Sequence, residues 1–185
     1  DPEIVVVRNL TTDFLTQSAQ ALEQAIRAAQ MVVIPGGFSG GDEPDGSAKF
    51  IASFFRSPAV TEAVRDLLQH RDGLMLGICN GFQALIKLGL VPYGDIRPIT
   101  AYDPTLTFNT IGRHQSMLVR TRIASTGSPW LSHCDAGSEY EIAISHGEGR
   151  FVAPQNVLDQ LVANGQVATQ YVDLEGEPTM DQRYN

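Results

Sequence analysis

A chain of 185 residues, 43% hydrophobic and 18% charged, is long enough to bury one sizeable core and has the profile of an ordinary globular protein. Its net charge of −8 excludes a surface built for nucleic acid or anionic membrane, since either needs clustered Lys and Arg. No apolar run approaches the roughly 20 residues of a membrane span, no signal-peptide pattern precedes the first apolar run, and Cys79 and Cys134 are too few for a disulfide framework.

Ile4 to Val7 is a β-branched apolar run, the pattern of a buried parallel strand. Leu15, Ala19, Leu22, Ile26 and Ala29 follow at spacings of three and four, which predicts an amphipathic helix. Met31 to Ile34 is a second buried strand, stopped by Pro35-Gly36-Gly37. Beyond a Gly- and Asp-rich loop, Ala48 to Phe55 has helical character. Ser57-Pro58 supplies an N-cap and a proline at the first helical position, opening a helix to about His70. Gly73 to Ile78 is a third strand, and Asn80 to Leu88 a helix closed by Gly89. Further on, Ser116 to Arg122, Tyr140 to Ser145 and Val167 to Val172 read as strands, and Pro154 to Asn164 as a helix ending at Gly165. Strands that are apolar throughout and alternate with helices predict an α/β domain, an open parallel sheet with helices on both faces. No repeat or linker divides the chain, so one domain over 1–185 is expected.

Gly77-Ile78-Cys79-Asn80-Gly81-Phe82-Gln83 carries the most chemistry. A strand feeds into it and a helix leaves it, which puts Cys79 on the tight connection between them. Glycines two residues before and after permit the strained backbone of a nucleophile elbow. The thiol would project at the carboxyl end of the sheet, where open α/β folds bind ligands. It would also stand at a helix N-terminus, whose N–H groups and macrodipole stabilise negative charge. The competing reading is a small buried hydrophobe in a Gly-rich turn, and Cys134, in Ser-His-Cys-Asp, keeps that reading. Pro35-Gly36-Gly37-Phe38 ends the neighbouring strand, so N–H groups at Gly37 and Phe38 can face the space above Cys79, with the N–H of Asn80 aimed at the same oxyanion.

Jointly, the glycine loop after one strand and G-x-C-x-G-x-Q after the next resemble the class I (triad) glutamine amidotransferases, whose fold is flavodoxin-like. Three longer strings, Pro35 to Asp42, Gly77 to Gln83 and Ile144-Ser-His-Gly-Glu-Gly-Arg-Phe151, are similar to the glutaminase domains of phosphoribosylformylglycinamidine synthases. The resemblance covers essentially the whole chain. It implies that Cys79 is the nucleophile forming a γ-glutamyl thioester, with Gly37 and Asn80 as oxyanion-hole donors. Phe38, Gln83, His146 and Glu148 would then line the glutamine site. Ammonia would pass to a synthetase domain or subunit that makes formylglycinamidine ribonucleotide in purine biosynthesis. ATP and magnesium would bind on that partner, since this sequence holds no phosphate-binding loop.

His146-Gly147-Glu148 is spelled like the His-x-Glu pair that completes such triads. In the family this motif precedes a further strand region and the triad pair lies nearer the C-terminus; nothing like it follows Phe151. The opening strand and turn of the family are missing as well. The sequence is therefore expected to be a piece cut at both ends, with the triad His and Glu outside it; the alternative makes His146 and Glu148 the triad. Competing functions are another cysteine-elbow hydrolase of the superfamily and a catalytically incomplete docking domain. No metal site is expected: the four histidines show no ligand spacing, and Asp42, Glu43 and Asp45 read as a solvated turn. Arg113-His114-Gln115-Ser116 reads as a surface loop, and unpaired thiols point to a cytoplasmic setting.

Overall fold

A computed structural model describes residues 2–37, 48–181 and 183. The chain forms two compact units, Asp1–Ala101 and Tyr102–Asn185.

In the first unit, α1 (Thr12–Ala28) starts at Thr11, whose Oγ1 accepts the N–H of Phe14 at 3.2 Å. Asp13 in its first turn and Arg27 in its last suit the helix dipole. Ile26 is buried and Leu22 packs against the core, as the periodicity predicts, but Leu15 is 37% exposed and Ser18 is buried instead. The reason is a polar tether: Ser18 Oγ accepts from the Arg8 N–H at 2.8 Å and donates to the Arg8 carbonyl at 3.2 Å. The segment that Ser18 holds is not the strand expected over Ile4 to Val7. Ile4 is 88% and Val6 70% exposed, and no ladder partner pairs with them among the described residues. β-branched residues favour extended backbone, but a strand exists only where a neighbour supplies hydrogen bonds.

Strands β1 (Met31–Ile34) and β2 (Leu74–Gly77) are parallel, in register from Met31 opposite Leu74 to Ile34 opposite Gly77. Helix α2 (Lys49–Phe55) packs on α4 (Asn80–Leu88), and α3 (Pro58–Arg65) packs on α1. Val60, Ala63, Val64 and Leu67 make one fully buried face along α3 and the π-helical turn that continues it, Asp66–His70. With Ile26, Ile34, Phe55, Leu85 and Leu88 they form the core, where each large side chain contributes about 1.5–3 kcal/mol. Arg71 closes this corner: its guanidinium bonds Asp66 at 2.7 Å and, at 2.8 Å, the carbonyls of Ile26 in the last turn of α1 and of Ala29, its C-cap. A short helical turn, α5 (Leu90–Tyr93), follows Gly89.

The second unit is built on antiparallel pairing. β4 (Gln115–Ile123) lies between β5 (Glu139–His146) and β7 (Thr169–Tyr171). β3 (Thr105–Thr107) pairs with β6 (Arg150–Val152), and α6 (Gln155–Ala163) precedes β7. β4, β5, β7 and α6 match the sequence expectation within a few residues. β3 and β6, at three residues each, are too short to carry a periodic signal.

Candidate active site

Only Ile78 and Cys79 separate the end of β2 from the start of α4. Cys79 takes φ 52° and ψ −110°, a conformation L-residues rarely adopt and one that costs on the order of 1–3 kcal/mol. Its neighbours force it there. A Cβ on Gly77 would lie 2.6 Å from the carbonyl carbon and oxygen of Gly81, and a Cβ on Gly81 would lie 2.0 Å from the Ile34 carbonyl oxygen. Both glycines thus allow backbone to meet backbone, while the strain itself falls on the cysteine. The turn is closed by Gly81 N–H to the Ile78 carbonyl at 2.9 Å and Gln83 N–H to the Cys79 carbonyl at 3.0 Å. The thiol is exposed.

Gly36 and Gly37, which follow β1, form the facing wall. A Cβ on Gly36 would stand 2.9 Å from Cys79 Cβ and 3.8 Å from its Sγ, so the bare backbone there leaves the thiol room. Gly37, at φ +132°, turns its carbonyl to accept a hydrogen bond from Asn80 Nδ2 at 3.0 Å. Asn80 is 3% exposed, and Gln83 is buried one helical turn further along. The structure therefore brings Cys79, Gly37, Asn80 and Gln83 together at the first turn of α4, the positive end of that helix's dipole. Phe38 lies outside the described residues, as does the acidic turn 41–46. Sequence reading valued Asn80 for its N–H alone and missed its amide strap to Gly37. It also missed Gly36 as the residue that clears space for the thiol. Cys134, half-buried in a turn after Leu131, shares none of these features.

His146 and Glu148 belong to the second unit. His146 is the last residue of β5, opposite Gln115 on β4. Its ring Nδ1 lies 2.9 Å from Asn109 Oδ1. Asn109 Nδ2 donates to the carbonyls of His146 at 2.8 Å and Arg113 at 3.1 Å, and Oδ1 also takes the Gly149 N–H at 3.2 Å. The Asn109 N–H reaches the Gly147 carbonyl at 2.9 Å. A Cβ on Gly149 would fall 2.3 Å from the imidazole, so any larger residue there would push the His146 ring out of this place. Burial, and then the neighbouring His114, hold His146 below the usual histidine range. His114 Nε2 lies 2.9 Å from Ser145 Oγ; of the surface loop expected over 113–116, Arg113 and His114 are exposed, but Gln115 and Ser116 already belong to β4 because β5 supplies their ladder partners. Asn109 was not legible as a site residue: an asparagine after a short β-prone run reads as a turn former. Among the described residues no three His, Cys, Asp or Glu side chains cluster as metal ligands, and no helix is long and apolar enough to cross a membrane.

A protein-family model described as the CobB/CobQ-like glutamine amidotransferase domain matches residues 3–185. The phosphoribosylformylglycinamidine synthase subunit PurQ of Symbiobacterium thermophilum is 38% identical over 148 residues, covering 80% of this chain and 56% of that protein. PurQ of Salinibacter ruber is 34% identical, covering 85% and 60%; PurQ of Acaryochloris marina is 35% identical, covering 100% and 72%. The chain thus spans little more than half the length of the first two of these relatives. The structure of PurLQS from Thermotoga maritima superposes with a TM-score of 0.58 at 24% identity, over 84% of this chain and 60% of that one. That likeness shows the fold, the α/β arrangement expected from the alternation of strands and helices.

Proposed function

The chain belongs to the CobB/CobQ-like glutamine amidotransferase domain family, and on that premise we propose that it hydrolyses glutamine to glutamate and ammonia through Cys79. The observation that carries this is the strained, exposed cysteine at φ 52°, held between a helix N-terminus and a bare glycine loop. The Cys79 sulfur attacks the glutamine amide carbon, and negative charge develops on the amide oxygen. The N–H groups of Gly37 and Asn80 take up that charge, the arrangement that usually supplies the largest share of barrier lowering. The C–N bond breaks, the nitrogen leaves as ammonia after receiving a proton, and water cleaves the thioester to glutamate. Gln83, Phe38, His146 and Glu148 are assigned to holding the substrate.

The ammonia goes to a synthetase partner that uses ATP and magnesium to make formylglycinamidine ribonucleotide, and residues 1–185 act as one glutaminase domain within that cytoplasmic enzyme. The relatives' names, subunits of phosphoribosylformylglycinamidine synthase, support the link to that synthase. The test is labelling by a glutamine-analogue electrophile, read by mass spectrometry. One label per chain is expected at Cys79, suppressed by excess glutamine and absent in Cys79→Ser. A chain that ignores the analogue while reacting with simple thiol reagents would point instead to another cysteine hydrolase or a docking domain.

A further inference from the structure

We propose that Asn109 is a positioning residue that fixes His146 in the Nδ1–H tautomer, so that Nε2 is the nitrogen carrying the lone pair. The argument is one of donor and acceptor capacity. An asparagine amide has two N–H donors on its nitrogen and two lone pairs on its oxygen. Here the nitrogen faces the carbonyls of Arg113 and His146, which can only accept. That settles which end of the amide is which, and leaves Oδ1 toward Gly149 and the imidazole. Oδ1 accepts the Gly149 N–H and can itself only accept, so the 2.9 Å contact with His146 Nδ1 requires the proton to be on Nδ1. With its own N–H on the Gly147 carbonyl, Asn109 bonds three residues of the turn 146–149, while its other amide N–H and its carbonyl bond Arg113 and Gly112.

The side chain that does this is 8% exposed, and the ring it holds is pressed against the backbone of Gly149. A histidine side chain free in water prefers the opposite tautomer, with its proton on Nε2, so the Nδ1–H form is imposed. In a metal site or a triad, the partner of one ring nitrogen decides what the other can do. Here the partner is a neutral amide, which orients the ring without drawing a proton onto it. Resting on the reading that this turn lines the glutamine site, Nε2 then serves as a neutral acceptor. The substrate group it suits is an N–H donor, an ammonium or a primary amide, and glutamine carries both; a carboxylate is turned away.

The experiment is long-range proton–nitrogen NMR of the histidine rings in the full chain, with His146→Gln to assign the signal. The expected wild-type pattern is a pyrrole-type Nδ1 and a pyridine-type Nε2. Asn109→Asp keeps an acceptor for Nδ1–H and should retain the pattern. Asn109→Leu removes the Asn109 acceptor, leaves the ring only its own backbone carbonyl, and should lower the share of the Nδ1–H form. An Nε2–H ring in the wild type, or an Asn109→Leu ring with the same Nδ1–H share as the wild type, overturns the proposal. Should Asn109→Leu fail to fold, the wild-type and Asn109→Asp patterns decide it. If the wild-type tautomer is Nδ1–H but the chain is never labelled, the glutamine reading fails and the positioning role of Asn109 stands.

Discussion

Nothing in a thiol's own preferences accounts for φ 52° and ψ −110° at Cys79; the conformation is bought with contacts elsewhere in the turn. Cys79→Gly should therefore stabilise the protein by about 1 kcal/mol, because relief of the strain exceeds the extra chain entropy of glycine. Cys79→Ala keeps the strain and should gain nothing comparable. Urea midpoints at constant slope would measure both, and equal stabilities of the two variants would mean that no strain is stored there. Gly81→Ala works in the opposite direction. Its Cβ would meet the backbone oxygen of Ile34 at 2.0 Å, so the helix must shift and the loss should reach about 3 kcal/mol or more. At this scale the sequence made the elbow legible because glycine spacing is a backbone signal. What it could not display is which atoms meet. That Gly81 serves Ile34, that Gly36 serves the thiol and that Asn80 straps Gly37 are long-range contacts with no local signature.

Among the elements, Ser57 shows how a correct boundary can rest on a different cause. The Ser-Pro pair does start α3, with Pro58 in its first turn, but the Ser57 side chain makes no capping bond. Its Oγ is buried with no hydrogen-bond partner among the described residues. A capping serine loses about 1 kcal/mol on truncation to alanine; here Ser57→Ala should leave stability unchanged or raise it by up to about 1 kcal/mol. A loss of that size in thermal unfolding would restore the cap. Helices and the longer strands were legible because burial imposes its period on the sequence, as along Val60, Val64 and Leu67. Ile4 to Val7 misled for the complementary reason: composition reports backbone preference, and only a neighbour makes a strand. The three-residue β3 and β6 are defined by their pairing alone.

For the molecule as a whole, the depressed His146 ties stability to pH. A histidine held below its ordinary value of about 6.5 takes up its proton later in the folded state than in the unfolded chain. Folding stability should then be flat above about pH 6.5 and fall as the pH drops beneath it, since only the unfolded chain gains the proton. The Asp95 carboxyl, lowered by its bond to Arg65, loses its contribution only in the more acidic carboxylate range, which keeps the two effects apart. Unfolding midpoints between about pH 7.5 and pH 5.5 should show the slope in the wild type and a weaker one in His146→Gln. The division into two units and the antiparallel pairing of the second were not legible, because both depend on contacts between segments far apart in the chain. The seating of Gly81 on the Ile34 carbonyl also has a kinetic meaning. Ile34 ends β1, so the first turn of α4 has no surface to rest on until β1 and β2 have paired. With the elbow assembled late in folding as the expectation, relieving it in Cys79→Gly should slow unfolding severalfold while folding proceeds at nearly its original rate, and an equal change in the folding rate would put the elbow in the barrier.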